Sequence, residues 1–339
     1  MLLLCRRIQC CDMHFVPALT IGSRSIVASK PLVTVVVTAY NYARYLPFAI
    51  NSVLNQTYSP IEIIVVDDGS TDHTREVLAQ YQGRVLAIST ENGGQGHAFN
   101  IGIGKASGEL IMLLDADDTW RPEKVQLMVE FAAKHPNAAM LYHRYQNIDR
   151  NDGYYPAPAQ PVTLINGDCR RNYLQTGGSW DSPIASVLTL RAEHIRRALP
   201  LPTYAVREGA DTILTDYCVL TSEVASLPDS LTLRRLHGSN HYAAGRESFI
   251  YRSKEIRESD IRRVEWRMFS LGKMIQRAGY EFNLDVNRNH WRTTNMYLLG
   301  RVSFWRLART LLSAPDSNLK RLFARLRFAL KMKRRTSLV

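Results

Sequence analysis

Short runs of β-branched residues alternate with amphipathic stretches between Pro31 and Tyr142, and this alternation constrains the fold more than any other feature. The first run, Leu32–Val37, is rich in valine and typical of a strand buried on both faces. Strands that alternate with helices of about ten residues predict parallel βαβ units. The predicted strands are Leu32–Val37, Ile61–Val66, Arg84–Ser89, Leu110–Leu114 and Ala138–Tyr142, and the predicted helices are Tyr45–Leu54, Asp72–Tyr81, His97–Lys105 and Pro122–Lys134.

The charge of the chain is concentrated in its C-terminal tail. The 339 residues carry a net charge of +12 and are 45% hydrophobic, which is enough apolar material for a globular core and excludes disorder throughout. Eleven basic residues and a single acid, Asp316, lie after residue 300, so residues 1–300 carry only +2. Because the body is nearly neutral, we expect no nucleic-acid partner.

The cysteines and the apolar segments indicate a cytoplasmic protein. The five cysteines are odd in number and lack paired C-x-x-C spacing, so neither a disulfide framework nor a zinc site is expected. No apolar run approaches the roughly 20 residues of a membrane-spanning helix. Met1–Leu4, followed by Arg6 and Arg7, is too short for a signal peptide. Residues 1–30 are predicted to be a poorly structured leader.

Polar side chains follow the first four predicted strands. Ligands of parallel sheets bind beyond the carboxyl ends of the strands, so these residues are candidates for a binding site. Each group taken alone is also ordinary turn or helix-cap chemistry. Turn chemistry does not require three acids within four residues, however, and together the groups favour a site. They are Thr38 and Tyr40, Asp67 and Asp68, Asn92 and Gly94, and Asp115, Asp117 and Asp118.

The acidic cluster after Leu110–Leu114 is the sharpest chemical signal. Carboxylates held this close raise one another's pKa unless a cation neutralises them. Oxygen ligands of this kind suit Mg²⁺ or Mn²⁺, which typically bind one or two carboxylates together with substrate phosphates. The glycine-rich loop near Gly94 matches neither a P-loop nor a dinucleotide fingerprint. The sequence therefore predicts a divalent ion that faces a diphosphate and acts as a Lewis acid.

Three stretches carry a resemblance to a known family. They read TVVVTAYNYARYLPFAINSVLNQTY, IEIIVVDDGSTDHT and ENGGQGHAFNIGIGKASGELIMLLDADDTWRPEKV, and they span about Pro31 to Lys124. This region resembles the nucleotide-binding half of the family 2 glycosyltransferases, which have the GT-A fold. The resemblance implies a Rossmann-like, mostly parallel sheet flanked by helices. It also implies an inverting enzyme that transfers a sugar from a nucleotide-sugar, commonly a UDP-sugar, to an acceptor hydroxyl.

The resemblance assigns expected roles to the residues at the strand ends. Asp115 would face the ribose or the donor sugar, and Asp117 would bind the metal. Because the chain has DADD rather than a bare DxD, Asp118 could share or take the metal role. Thr38 and Tyr40 would flank the base, and Asp68 would hydrogen-bond to the base with Asp67 beside it. Asn92 and Gly94 would line the nucleotide loop.

A general base is expected in the second half of the chain. Family members often carry Glu-Asp before a helix at the acceptor site, whereas this chain has Ala210-Asp211, so only Asp211 aligns with that pair. We therefore predict that Asp211 removes the proton from the acceptor hydroxyl, with Glu208 as the alternative base. Asp211 could equally be an acid that favours the N-terminal end of a helix dipole.

A second segment, from Arg235 to Asn240, resembles the R-x-H-x-x-N segment of the family. The resemblance places His237 within reach of the metal or the diphosphate, although a lone loop histidine is also commonly exposed or satisfied by a neighbour. Trp180 either stacks on a sugar or belongs to the core.

The chain is predicted to have three parts. Residues 1–30 form the leader and 31–245 form the glycosyltransferase domain, with a nucleotide-sugar half at 31–150 and an acceptor half at 151–245. Residues 246–339 are expected to be helical and to end in a basic amphipathic tail. Such a tail either binds an anionic membrane surface or docks on the body.

The sequence favours one function and leaves two alternatives. The preferred function is transfer to a hydroxyl of a glycan or lipid-linked glycan at the inner face of the membrane. The alternatives are transfer to polyprenyl phosphate and a noncatalytic protein that binds through the basic tail.

Overall fold

The computed structural model describes residues 30–154, 163–178, 180–203, 207, 209–237, 254–282, 284 and 306–307. The predicted leader, Glu208, Asn240 and the basic tail lie outside the described residues. The strands are β1 Val33–Ala39, β2 Ile61–Asp67, β3 Leu86–Ser89, β4 Leu110–Asp115, β5 Thr119–Trp120, β6 Ala138–Asp149, β7 Leu188–Arg191 and β8 Glu223–Leu236. The helices are α1 Leu46–Leu54, α2 Thr74–Ala79, α3 Gln95–Lys105, α4 Lys124–Lys134, α5 Arg170–Gln175, α6 Ala192–Arg196, α7 Ala210–Thr221 and α8 Lys254–Arg277.

The described strands form one mixed sheet in the order β3-β2-β1-β4-β7-β6-β8-β5. The first four strands in this order are mutually parallel, as the sequence pattern predicts. β7 then pairs antiparallel with both β4 and β6, so β6 is not the direct neighbour of β4. The sequence pattern predicts that β4 and β6 are neighbours in one parallel βαβ unit. This prediction is wrong, because the apolar strand β7 lies between them. The predicted GT-A-like architecture, a mostly parallel sheet flanked by helices, is confirmed.

The valine-rich β1 is buried because both faces of the sheet are covered. Successive side chains of a strand point to opposite faces. Val33, Val35 and Val37 accordingly pack in one core cluster with α1 and α4, and Val36 packs in another with α3 and α7. The apolar run in the sequence thus reflects a strand between two layers of helices.

The second half of the sheet was harder to predict. β6 extends to Asp149, beyond the predicted end at Tyr142, because it pairs along its length with β8. β8 interrupts its apolar residues with Pro228 and Asp229, both exposed, so no clear period marks it in the sequence. The region predicted to be helical from residue 246 onward contains α8. No helix in the described part of the chain has the length and apolarity needed to cross a bilayer.

Candidate active site

The carboxyl ends of β1, β2 and β4 lie side by side and bring three of the predicted polar groups together. Thr38 on β1 is in register with Asp115 on β4, and Ala39 is in register with Asp67 on β2. Tyr40 follows directly and is 45% exposed. The sheet edge therefore presents a hydroxyl, a carboxylate and an accessible aromatic ring within three adjacent strands.

Asp67 and Asp68 organise the loops at this edge. Asp67 is fully buried, and its Oδ1 accepts the backbone N–H of Ser70 at 3.0 Å. Asp68 accepts the N–H of Gly93 on Oδ1 at 2.9 Å and that of Gly94 on Oδ2 at 2.7 Å. Both oxygens of Asp68 thus fix the loop that the resemblance assigns to the nucleotide.

The Asn92–Gly94 loop is held from the other side as well. The Asn92 Nδ2 donates to the carbonyl oxygen of Asp68 at 3.0 Å, and the Arg207 guanidinium donates to Asn92 Oδ1. Gly94 has a φ of +86°, and a Cβ there would lie 2.4 Å from the carbonyl oxygen of Arg207. Only glycine allows the two backbones to approach so closely.

The three acids after β4 occupy different environments. Burial, followed by repulsion from Asp118, Asp117 and Asp211, raises the pKa of Asp115 well above its ordinary value. Burial and the charge of Asp117 raise the pKa of Asp118 to about 7. Asp118 is 3% exposed, and its Oδ1 accepts the backbone N–H of Arg235 at 2.9 Å, which ties the acidic loop to β8.

Asp117 has a different neighbour. His237, directly after β8, places Nε2 3.0 Å from Oδ2 of Asp117, and its ring stacks on Tyr45 at 4.9 Å between centroids. The side chain of buried Arg235 donates through Nε to the carbonyl oxygen of Asp117 at 3.0 Å. The structure thus brings Arg235 and His237 to Asp117, which precedes them by 118 and 120 positions in the chain.

The described residues fit a divalent ion only in combination with a substrate. They contain no group of three or more His, Cys, Asp or Glu side chains placed to hold a metal. Asp117 and His237 could supply two donor atoms. Burial and, after it, repulsion between the acids raise the pKa values of Asp115 and Asp118, and the repulsion indicates a surplus of negative charge. Mg²⁺ and Mn²⁺ commonly complete such a set with phosphate oxygens and water.

Asp211 lies in the first turn of α7. Its Oδ1 accepts the N–H of Thr212 at 2.7 Å and its Oδ2 accepts that of Ala185 at 3.2 Å. Burial raises the pKa of Asp211. Ala185, which donates to Asp211, is followed by Ser186, whose Oγ accepts the backbone N–H of Asp115, so one short segment holds both acids. The charge of Asp211 is also one of the influences that raise the pKa of Asp115. A carboxylate in the first turn of a helix suits either a base or an acid that favours the helix dipole.

Sequence reasoning missed two residues behind the acids. Lys124 is fully buried, donates through Nζ to the carbonyl oxygen of Ser186 at 2.7 Å, and lies 3.4 Å from the centroid of the Trp120 ring. Burial lowers its pKa well below the ordinary value. The Oγ of Ser186 accepts the N–H of Asp115 at 3.0 Å. A lysine at a helix start is ordinarily a surface residue, so the sequence does not distinguish the buried Lys124 from a solvent-exposed lysine.

Trp180 is anchored rather than free to turn. Its Nε1 donates to Oδ1 of the fully buried Asp216 at 2.9 Å, and the Arg267 Nε lies 3.3 Å from the other oxygen of that carboxylate. The side chain is partly exposed. Stacking of a sugar on Trp180 therefore stays a prediction.

Comparison with known proteins gives consistent similarities. The model of the family described as "Glycosyl transferase family 2" matches residues 34–188. An uncharacterized glycosyltransferase of Nostoc sp. is 33% identical over 291 residues, which cover 84% of this chain and 89% of that protein. Glycosyltransferase GlyG of Streptococcus pneumoniae is 37% identical over 218 residues, which cover 61% of this chain and 72% of GlyG.

A solved structure shares the fold. The crystal structure of S. aureus TarS 1–349 in complex with UDP-GlcNAc has a TM-score of 0.52 and 18% sequence identity. The match covers 89% of this chain and 88% of that one. At this identity the similarity concerns the fold alone.

Proposed function

The chain belongs to glycosyl transferase family 2, and from this premise we propose that it transfers a sugar from a UDP-sugar to a hydroxyl group with inversion at the anomeric carbon. The observation that carries the proposal is that one short segment holds both Asp115 and Asp211. Ser186 Oγ accepts the backbone N–H of Asp115, and the backbone N–H of Ala185 donates to the carboxylate of Asp211. This arrangement supports a donor-side acid at the end of β4 and a candidate base at the start of α7. The family and the glycosyltransferase relatives favour an enzyme over a noncatalytic binding protein.

The nucleotide binds at the ends of β1 and β2 in this proposal. Thr38 and the exposed ring of Tyr40 flank the base. Asp68 acts mainly by ordering the loop of Asn92 and Gly94, since both its carboxylate oxygens accept N–H groups of that loop. The solved neighbour that carries UDP-GlcNAc supports a uridine nucleotide as the donor.

Asp211 acts as the general base. Its carboxylate accepts the proton of the acceptor hydroxyl while that oxygen forms a bond to the anomeric carbon. The bond between the anomeric carbon and the diphosphate oxygen breaks on the opposite face, and its electron pair leaves with the nucleoside diphosphate. A pKa raised by burial makes the Asp211 carboxylate a stronger base than an exposed aspartate.

Asp117 and His237 would hold Mg²⁺ or Mn²⁺. When bound, the ion supplies Lewis-acid stabilisation of the charge that develops on the diphosphate. Asp118 is less available, because it is nearly inaccessible and one of its oxygens accepts the N–H of Arg235. We therefore assign the principal ligand role to Asp117.

The acceptor is proposed to be a glycan or lipid-linked glycan presented at an anionic membrane surface. This part rests on the sequence alone, since the tail lies outside the described residues. If the tail is helical, Leu319, Leu322, Phe323 and Leu326 would share one face among basic residues, as in segments that bind anionic membranes. Removal of residues 320–339 should reduce co-sedimentation with vesicles that contain anionic lipid. Unchanged sedimentation would contradict this part and leave the tail docked on the body.

The donor is tested by a thermal-shift screen of UDP-GlcNAc, other UDP-sugars and GDP-sugars, with and without Mn²⁺. A ligand that binds only the folded state raises the midpoint of unfolding. We expect a shift with a UDP-sugar that grows when Mn²⁺ is present. A shift with GDP-sugars alone would contradict the choice of nucleotide, and no shift with any of them would contradict the donor site.

A further inference from the structure

Gln95, the first residue of α3, connects the donor loop to the helix that carries Asp211. Its Oε1 accepts the backbone N–H of Ala210 at 2.9 Å, and its own backbone N–H donates to the carbonyl oxygen of Arg207 at 2.8 Å. Its Nε2 lies 3.4 Å from Oδ1 of Asp115. One side chain thus touches the donor-side acid and the start of the base helix.

The hydrogen bond from Ala210 to Gln95 gives a partner to a backbone N–H at the start of α7. The first N–H groups of an α-helix have no partner within the helix and require one from elsewhere. Gly209 precedes α7 with a φ of +72° and has no side chain to supply a cap. The amide oxygen of Gln95 satisfies the Ala210 N–H, which precedes Asp211 by one residue, so the orientation of the base is tied to Gln95.

Gln95 is also fixed on the side of the donor loop. Gln95 directly follows Gly94, whose N–H is held by Asp68, and the Arg207 guanidinium donates to Asn92 in the same loop. A nucleotide that orders this loop would also order Gln95. We infer that Gln95 is the positioning residue that couples occupation of the donor loop to placement of Asp211. The inference rests on the proposed function, since it takes the loop as the donor site and Asp211 as the base.

The matched control lies on the same helix. Asn100 also uses a side-chain amide to bridge α3 to another segment, because its Nδ2 donates to the carbonyl oxygen of Leu201 at 3.0 Å and its Oδ1 accepts the Leu201 N–H at 2.6 Å. Neither of these two hydrogen bonds involves the acids or α7. We therefore expect loss of this bridge to loosen α3 without disturbing Asp211.

Amide hydrogen exchange of the full chain, followed by mass spectrometry over the peptide that contains Ala210, measures the connection directly. We expect Gln95→Ala to speed exchange of that peptide about tenfold, which corresponds to about 1.4 kcal/mol, and Asn100→Ala to leave it unchanged. Unchanged exchange in Gln95→Ala, or equal acceleration in Asn100→Ala, would overturn the inference.

The coupling to the donor is tested with UDP and Mn²⁺. UDP should slow exchange of the Ala210 peptide further in the unsubstituted chain and have no effect there in Gln95→Ala, although both proteins bind UDP with dissociation constants within about threefold of each other. Binding without any change at Ala210 in the unsubstituted chain would overturn the coupling and leave the proposed function intact. Failure of the unsubstituted chain to bind UDP would instead contradict the proposed donor and, with it, this inference.

Discussion

His237 Nε2 lies 3.0 Å from Asp117 Oδ2, although the two residues are 120 positions apart in the chain. Both side chains are largely buried, with 4% and 12% exposed, and the ring of Tyr45 stacks on His237. β8 brings the histidine to the acidic loop, because its neighbour Arg235 is fixed there by Asp118. This pair is therefore the best candidate for the protein ligands of the divalent ion.

Substitution at Asp117 should remove the effect of metal on nucleotide binding. Calorimetry with UDP, with and without Mn²⁺, is expected to show at least about tenfold tightening by the ion in the unsubstituted chain and none in Asp117→Asn, because a carboxylate ligand is lost. His237→Gln should weaken the tightening. Asp118→Asn is the matched control, since an amide oxygen can still accept the Arg235 N–H. Loss of the metal effect in Asp118→Asn alone would transfer the ligand role to Asp118.

Asp211→Asn should abolish transfer and preserve donor binding. Loss of a general base typically lowers the rate about 10²- to 10⁴-fold. Donor binding should persist, because the asparagine still offers an oxygen to the Ala185 N–H that holds the side chain. Turnover is measured as release of UDP from the UDP-sugar identified by thermal shift, and binding as the shift itself. The exposed Asp229→Asn serves as the control for charge. Substantial turnover in Asp211→Asn would move the base to Glu208.

The pH dependence of transfer should report the environment of Asp211. Burial raises the pKa of Asp211, whereas hydrogen bonds from Thr212 and Ala185 and the charge of Arg234 lower it. A base acts only when ionised, so activity should fall as the pH drops through a raised pKa, at a higher pH than for an ordinary aspartate.

Arg234→Gln removes one of the influences that lower the pKa of Asp211, so the acid limb of the profile of kcat should move to higher pH. Arg234→Lys keeps the charge and should leave the limb in place. A limb that does not respond to Arg234→Gln would indicate that another group controls it.

Two glycines of α3 should respond to alanine in opposite directions. A Cβ at Gly102 would lie 2.3 Å from Cγ1 of Val36 on β1, whereas a Cβ at Gly104 meets nothing within 4 Å. Gly102→Ala should lower the free energy of unfolding by about 1–3 kcal/mol, because the helix must move off the sheet. Gly104→Ala should raise it by about 0.5–1 kcal/mol through helix propensity. Urea unfolding curves measure both, and equal effects would contradict the close packing of α3 on β1.

Local patterns predicted the first half of the sheet well. β1, β2 and β4 begin and end within two residues of the predicted bounds, because short apolar runs bounded by polar turns carry their own signal. The position of the acids also followed from the sequence, since residues after parallel strands meet at one edge whatever else the chain does. β8 was not predicted from the sequence, because this segment forms a strand by pairing with β6, which is distant in the chain.

The sequence by itself determined which side chains are gathered at the carboxyl edge of the sheet, because periodicity and strand ends are local properties of the chain. Only the tertiary structure decided what each side chain does there. It turned Asp68 toward the Gly93 and Gly94 amides, paired Asp117 with His237, and placed Gln95 between Asp115 and the start of α7. The reason is physical: hydrogen bonds and pKa shifts depend on atoms a few ångströms apart in space, and these partners are separated by as many as 120 positions in the chain.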